Sequence, residues 1–115
     1  MEFKTLSNLF KLSHRVTVYV PSKQRDGRPV PATLVESTTA ELADTFGGAT
    51  ASTALGYWRL ATGEMQSESV TVVFAYAKDL TETSVARVVA LAESIKETAN
   101  QESVAIELDG EMYFV

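Results

Sequence analysis

The 115-residue chain contains no cysteine and a single histidine. The first absence excludes disulfides, thiolate metal centres and cysteine nucleophiles. The second leaves His14 as the one imidazole available to a serine nucleophile or a metal. No run approaches the roughly 20 apolar residues that a membrane-spanning helix needs. In the first twelve residues Phe3, Leu6, Leu9, Phe10 and Leu12 are interleaved with Lys4, Asn8 and Lys11, so the apolar centre of a signal peptide is missing. Proline (three) and glycine (six) are scarce, while 45% of residues are hydrophobic and 22% charged, the balance of a folded globular chain rather than a disordered one. The length suits one core and is too short for two. A cytoplasmic setting is expected.

The charge is unevenly spread. Through Val30 there are six cations and two anions; the rest of the chain carries four cations and thirteen anions, giving the net −5. An acidic body repels phosphate backbones, which argues against general nucleic-acid binding and for a protein partner or self-association. It also argues against membrane attachment.

Periodicity supplies the architecture. Phe3, Leu6 and Phe10 at i, i+3 and i+7 predict a short amphipathic arm over residues 1–14, too short to hold as an isolated helix and expected to dock on its own domain. Residues 15–115 form the domain. Val16, Val18 and Val20 alternate with Thr17 and Tyr19, a strand that Pro21 ends. Thr38 with Glu41 has the spacing of a capping box, which starts a helix that Gly47-Gly48 stops. Tyr57, Trp58 and their neighbours form the next strand, Thr62-Gly63 the bend, and the segment from about Ser67 to Ala77 a central strand apolar on both faces. A second helix begins at Thr81 with Val85, Val88, Ala92 and Ile95 on one side, and Val104 to Leu108 pairs through Asp109-Gly110 with Met112 to Val115. The order is α+β: a ferredoxin-like βαββαβ sandwich with an antiparallel sheet and an extra C-terminal hairpin strand. Helices then cover one sheet face, and the other, with Thr17, Tyr19 and one of Tyr57 and Trp58, stays open as a contact surface.

Three groups of residues are candidates for chemistry. Gly47, Gly48, Thr50, Tyr57, Trp58 and Glu68 combine small residues, hydroxyls and aromatics suited to a ligand pocket between helices and sheet, although small residues also serve close packing. Lys23, Arg25 and Arg28 on a Pro- and Gly-rich loop suit an anion, without the spacing of a phosphate cradle. Glu64, Glu68, Glu107, Asp109 and Glu111 lack the loop spacing of a calcium site, so no metal and no cofactor is expected. A serine triad through His14, with Ser13, Ser22 or Ser52, has no nucleophile-elbow pattern. Acid–base work by Glu68 or Glu102 stays open, because it depends on burial.

The runs Phe46-Gly47-Gly48-Ala49-Thr50 and Gly56-Tyr57-Trp58, then Glu68, Gln101-Glu102-Ser103-Val104-Ala105-Ile106 and Gly110-Glu111-Met112-Tyr113-Phe114 resemble a family of small uncharacterised proteins spread through prokaryotic genomes, plasmids and phages. The resemblance covers roughly residue 15 to the end. It implies a mobile-element setting and brings no activity. The function expected from these features is a non-catalytic protein-interaction module, with two alternatives: a phage or plasmid inhibitor of host defence, anti-CRISPR-like through acidic nucleic-acid mimicry, or a small dimeric ferredoxin-like enzyme or ligand-binding domain.

Overall fold

The computed structural model describes residues 2–115. Five strands, β1 (His14–Pro21), β2 (Thr50–Arg59), β3 (Met65–Ala77), β4 (Ala105–Leu108) and β5 (Glu111–Phe114), form one sheet in the order β2-β3-β1-β4-β5. All neighbouring pairs are antiparallel. Helices α1 (Leu34–Phe46) and α2 (Glu82–Thr98) complete the ferredoxin-like α+β plan, with β5 as the added edge strand.

The two-residue alternation of β1 decides how the layers stack. Val16, Val18 and Val20 are fully buried and meet Leu42 of α1 and Val88, Ala92 and Ile95 of α2 in the core. Their cross-strand neighbours follow from the register: Val18 opposes Val73 on β3 and Ile106 on β4, both buried. The intervening residues Arg15, Thr17, Tyr19 and Pro21 must point the other way, because successive strand side chains alternate. Carried through the ladders, that parity puts Phe74, Val72, Val70 and Glu68 of β3, Thr50, Ser52, Ala54, Gly56 and Trp58 of β2, and Glu107, Ala105, Met112 and Phe114 of β4 and β5 on the open face. Trp58, not Tyr57, is therefore the open-face member of the pair.

Local chemistry fixes the connections. Thr81 caps α2 through a reciprocal box with Ser84: the Thr81 hydroxyl accepts from the Ser84 N–H at 3.1 Å, and Ser84 Oγ from the Thr81 N–H at 3.0 Å. Gly47 closes α1 at φ +96, where a side chain would be strained. Asp109 and Gly110 both take positive φ, as the two-residue β4–β5 turn requires. Asp109 also ties this turn to β1, accepting from the Arg15 backbone N–H at 2.8 Å and lying 2.6 Å from His14 Nδ1. The His14 contact first, then the Arg15 N–H, holds its carboxyl below the usual range.

Two expectations are corrected. Helix α1 begins at Leu34, a turn before the Thr38–Glu41 pattern. Thr38 lies within the helix, buried against the core, and its hydroxyl has no partner among the described residues. The neighbouring Ser37 and Thr39 hydroxyls return to the Leu34 and Val35 carbonyls, so these residues bond back along the helix instead of capping it. The N-terminal arm forms only a three-residue 3₁₀ turn, Lys4–Leu6, and is not packed into the core: every residue from Glu2 to Ser13 is exposed, with Leu12 at the rim of a hollow of the body. No helix of the described residues is long and apolar enough to cross a membrane.

Candidate functional site

The open face divides into two ends. At the His14 end of β1 a polar network covers it. The Arg15 guanidinium lies 4.3 Å over the Phe74 ring, its Nε donates to Thr17 Oγ1 at 3.3 Å, and Thr17 Oγ1 donates to Glu107 at 2.7 Å. Glu107 also lies 3.8 Å from Arg15 Nε. This covering explains why Thr17 is fully buried on a face without helices. The charges here satisfy one another.

At the Pro21 end the face is hollow. A cavity of about 410 Å³ draws on all five strands: Tyr19 and Pro21 of β1, Gly56, Tyr57 and Trp58 of β2, Glu68 and Val70 of β3, Ala105 of β4, and Met112 and Phe114 of β5. Gln101, Ser103 and Val104, from the segment after α2, close its side. In a flat sheet β2 and β5 would stand roughly 19 Å apart, four strand spacings of about 4.8 Å. One hollow touched by both edges means that the sheet coils around its open face, as twisted sheets do. The volume is in the range of small-molecule sites, about 300–1,000 Å³.

Its walls are apolar and aromatic, and their exposure is high for such residues: 45% for Trp58 and 71% for Phe114. Among the residues lining it Glu68 is the only carboxylate, and there is no cation. Glu68 faces Gly56 across the β2–β3 ladder. A Cβ at Gly56 would meet nothing closer than the Glu68 carbonyl oxygen, at 3.8 Å, an ordinary contact. The missing side chain is thus not demanded by backbone crowding; it keeps open the floor beside the Glu68 carboxylate.

The candidate pocket residues are brought together only in part. Tyr57, Trp58 and Glu68 line this cavity, whereas Gly47, Gly48 and Thr50 line a second hollow with Leu12, Phe46, Phe74 and Tyr76. Thr50 and Gly56 are six residues apart on one strand, roughly 20 Å at about 3.3 Å per residue. The expected single pocket between helices and sheet is therefore corrected to two hollows, and the one with Glu68 lies on the uncovered face. In the basic loop Arg28 Nε bonds Asp26 at 2.7 Å, Arg25 lies 3.4 Å from Glu102, and the Lys23 backbone bridges to Pro29. Met112 and Phe114 were not anticipated as site residues. Their place in the hairpin was legible, but their proximity to Trp58 depends on sheet order and coiling.

Solved structures with this fold include phage SAM lyase in complex with S-methyl-5'-thioadenosine, at a TM-score of 0.68 and 18% identity, and phage SAM lyase in its apo state, at 0.61 and 19%. Each comparison covers 95% of both chains. The likeness extends over the whole fold. No protein-family model and no curated protein matches the sequence. The expectation of a non-catalytic interaction module is withdrawn on this finding: the structural neighbours are an enzyme, and the alternative of a small ferredoxin-like enzyme fits them better.

Proposed function

We propose that this chain is a lyase acting on S-adenosylmethionine, with the open-face cavity as its substrate site. The observation that carries the reading is a full-length fold likeness to a SAM lyase solved with S-methyl-5'-thioadenosine, in a chain whose open face has an aromatic hollow containing one carboxylate. An adenine ring needs flat apolar walls, which Trp58, Tyr19 and Phe114 supply. A sulfonium or ammonium cation is drawn to an aromatic face and to a carboxylate, which Trp58 and Glu68 supply. The acidic body, thirteen anions against four cations after Val30, favours the approach of a cationic substrate and needs no protein partner to explain it.

The reaction requires little of the protein. The substrate's own carboxylate attacks the γ-carbon of its aminobutyrate arm; a C–O bond forms, the C–S bond breaks, and the electron pair returns to sulfur. The products are neutral S-methyl-5'-thioadenosine and a five-membered lactone that keeps the ammonium group. Atoms and charge balance without water or proton transfer. Because a cation and an anion neutralise each other in the transition state, an apolar wall that removes water from both favours the step. In this scheme Glu68 holds the substrate's positive end and orients the arm for ring closure.

The test is to incubate the purified chain with S-adenosylmethionine and follow S-methyl-5'-thioadenosine by chromatography. Time-dependent release above the rate without protein is expected; a rate equal to that background refutes the reading. Gly56→Val supplies a second check. Its Cβ has room against the backbone, so melting is expected to stay close to wild type, while the isopropyl group stands in the cavity beside Glu68. Binding of S-methyl-5'-thioadenosine, measured by calorimetry, is expected to fall at least about tenfold, the order of a misfitted buried group.

A further inference from the structure

The segment between α2 and β4 gives the cavity wall its neutral polar groups. Asn100 turns the chain off α2 at φ +49, a left-handed position that asparagine tolerates, and the Gln101 N–H then bonds the Lys96 carbonyl at 2.9 Å. Further on, Val104 is buried and exchanges both backbone bonds with Val115, at 3.0 and 2.9 Å, which carries the β4–β5 ladder past its last named pair. Side chains alternate along such backbone, so Ser103 takes the side of Ala105, the open face. Gln101 and Ser103 both line the cavity.

The Gln101 amide is held in one orientation. Its Nε2 donates to the Lys23 carbonyl at 2.7 Å and to the Ala99 carbonyl at 3.2 Å, which uses both amide hydrogens. A flipped amide would set Oε1 against two carbonyl oxygens. Oε1 has no partner among the described residues, and neither has the Ser103 hydroxyl.

We propose that Gln101 determines specificity for the base: its Oε1 accepts the 6-amino group of adenine, and the Ser103 hydroxyl meets the neighbouring ring nitrogen. This rests on the lyase reading of the cavity. The strand order supports the placement. Ser103 continues β4, Glu68 lies on β3, and β1 runs between them, so base edge and carboxylate stand roughly 10 Å apart, two strand spacings of about 4.8 Å. A nucleoside laid across Tyr19 then has its base at Gln101 and its cationic sulfur towards Glu68.

The two groups read the base differently. A hydroxyl donates or accepts as it rotates, so Ser103 serves a 6-amino and a 6-oxo purine alike. The held carbonyl only accepts. Opposite a 6-oxo purine it meets a second acceptor, and both oxygens lose the hydrogen bonds they had with water. Selection for adenine therefore falls to Gln101.

Calorimetric titration of the full-length chain with S-methyl-5'-thioadenosine and with its 6-oxo analogue, S-methyl-5'-thioinosine, tests this. The wild type is expected to bind the amino form roughly 10- to 100-fold tighter, the order for a buried acceptor left unpaired. Gln101→Met keeps the side chain's length without its polar atoms and should bind the two within about threefold of each other. Ser103→Ala should weaken both by a similar factor and keep the wild-type ratio. The ratio decides, because a wall loosened by loss of the Lys23 bond weakens both nucleosides together. Equal affinities in the wild type, as an Oε1 taken up by the ribose hydroxyls would give, overturn the proposal and leave the lyase reading standing; so does a ratio unchanged in Gln101→Met. If neither nucleoside binds, the cavity is not the substrate site and the lyase reading falls together with this one.

Discussion

Replacing Glu68 by glutamine is expected to lower kcat/KM for release of S-methyl-5'-thioadenosine by roughly 30- to 150-fold, with little change in melting temperature. The magnitude follows from the type of contact. A charge-assisted hydrogen bond from a carboxylate to a bound cation is worth about 2–3 kcal/mol, and each 1.36 kcal/mol is tenfold in rate. Glutamine keeps the shape and one acceptor oxygen and loses the charge, so the variant isolates electrostatics from packing. The Glu68 side chain is half-buried and, among the described residues, makes no hydrogen bond and no ion pair, so the fold does not rely on its charge. Glu64→Gln is the matched control. It removes the same charge from the β2–β3 hairpin bend, where the side chain is exposed and lines no part of the cavity. Equal losses in the two variants would mean that the acidic field as a whole draws in the substrate; a loss confined to Glu68→Gln identifies the local contact. An unchanged Glu68→Gln enzyme would remove Glu68 from the site.

The sequence made the layers legible where one pattern had one physical meaning. Val16, Val18 and Val20 alternate with polar or amphipathic neighbours, and only a strand with one buried face accounts for that spacing. Asp109-Gly110 between two apolar runs specified a turn because both residues tolerate positive φ. The reading failed where one pattern served two purposes. Thr38 and Glu41 have cap spacing, yet Thr38 is turned into the core within α1, a position fixed by tertiary packing of Leu34 and Leu42 on the sheet. The carboxylate partners of the basic loop, Asp26 nearby and Glu102 far along the chain, are visible as partners only once folded.

The candidate site was half legible for a related reason. Trp58 and Glu68 come together across one hairpin, a local event that register alone predicts. Phe114 and Met112 meet them across the entire sheet, through strand order and coiling that no local spacing encodes. Gly47-Gly48 and Trp58 have the chemistry of one pocket, small residues beside an aromatic, but an extended strand carries neighbours apart at about 3.3 Å per residue. The acidity serves more than one reading. Net charge speaks to what a surface attracts, and a small cationic substrate satisfies it as well as a basic protein does.

Everything argued for the site depends on which strand face is open, and adjacent valines on β3 test that with the largest stability contrast the fold offers. Val73→Asp is expected to abolish cooperative folding, whereas Val72→Asp should fold and lose about 1–2 kcal/mol. Val73 is 0% exposed, opposes Val18 on β1 and faces the helices; a carboxylate there has no partner and must be buried charged or neutralised, each costing several kcal/mol. That cost is comparable with the whole stability of a small domain, about 5–15 kcal/mol. Val72 opposes Tyr19 and Ser52 on the uncovered face and keeps partial contact with water, so the same substitution loses packing without stranding a charge. Urea denaturation followed by circular dichroism separates the two. A one-residue slip of β3 would exchange their fates, and with them Glu68 and Ser69, turning the carboxylate away from the cavity.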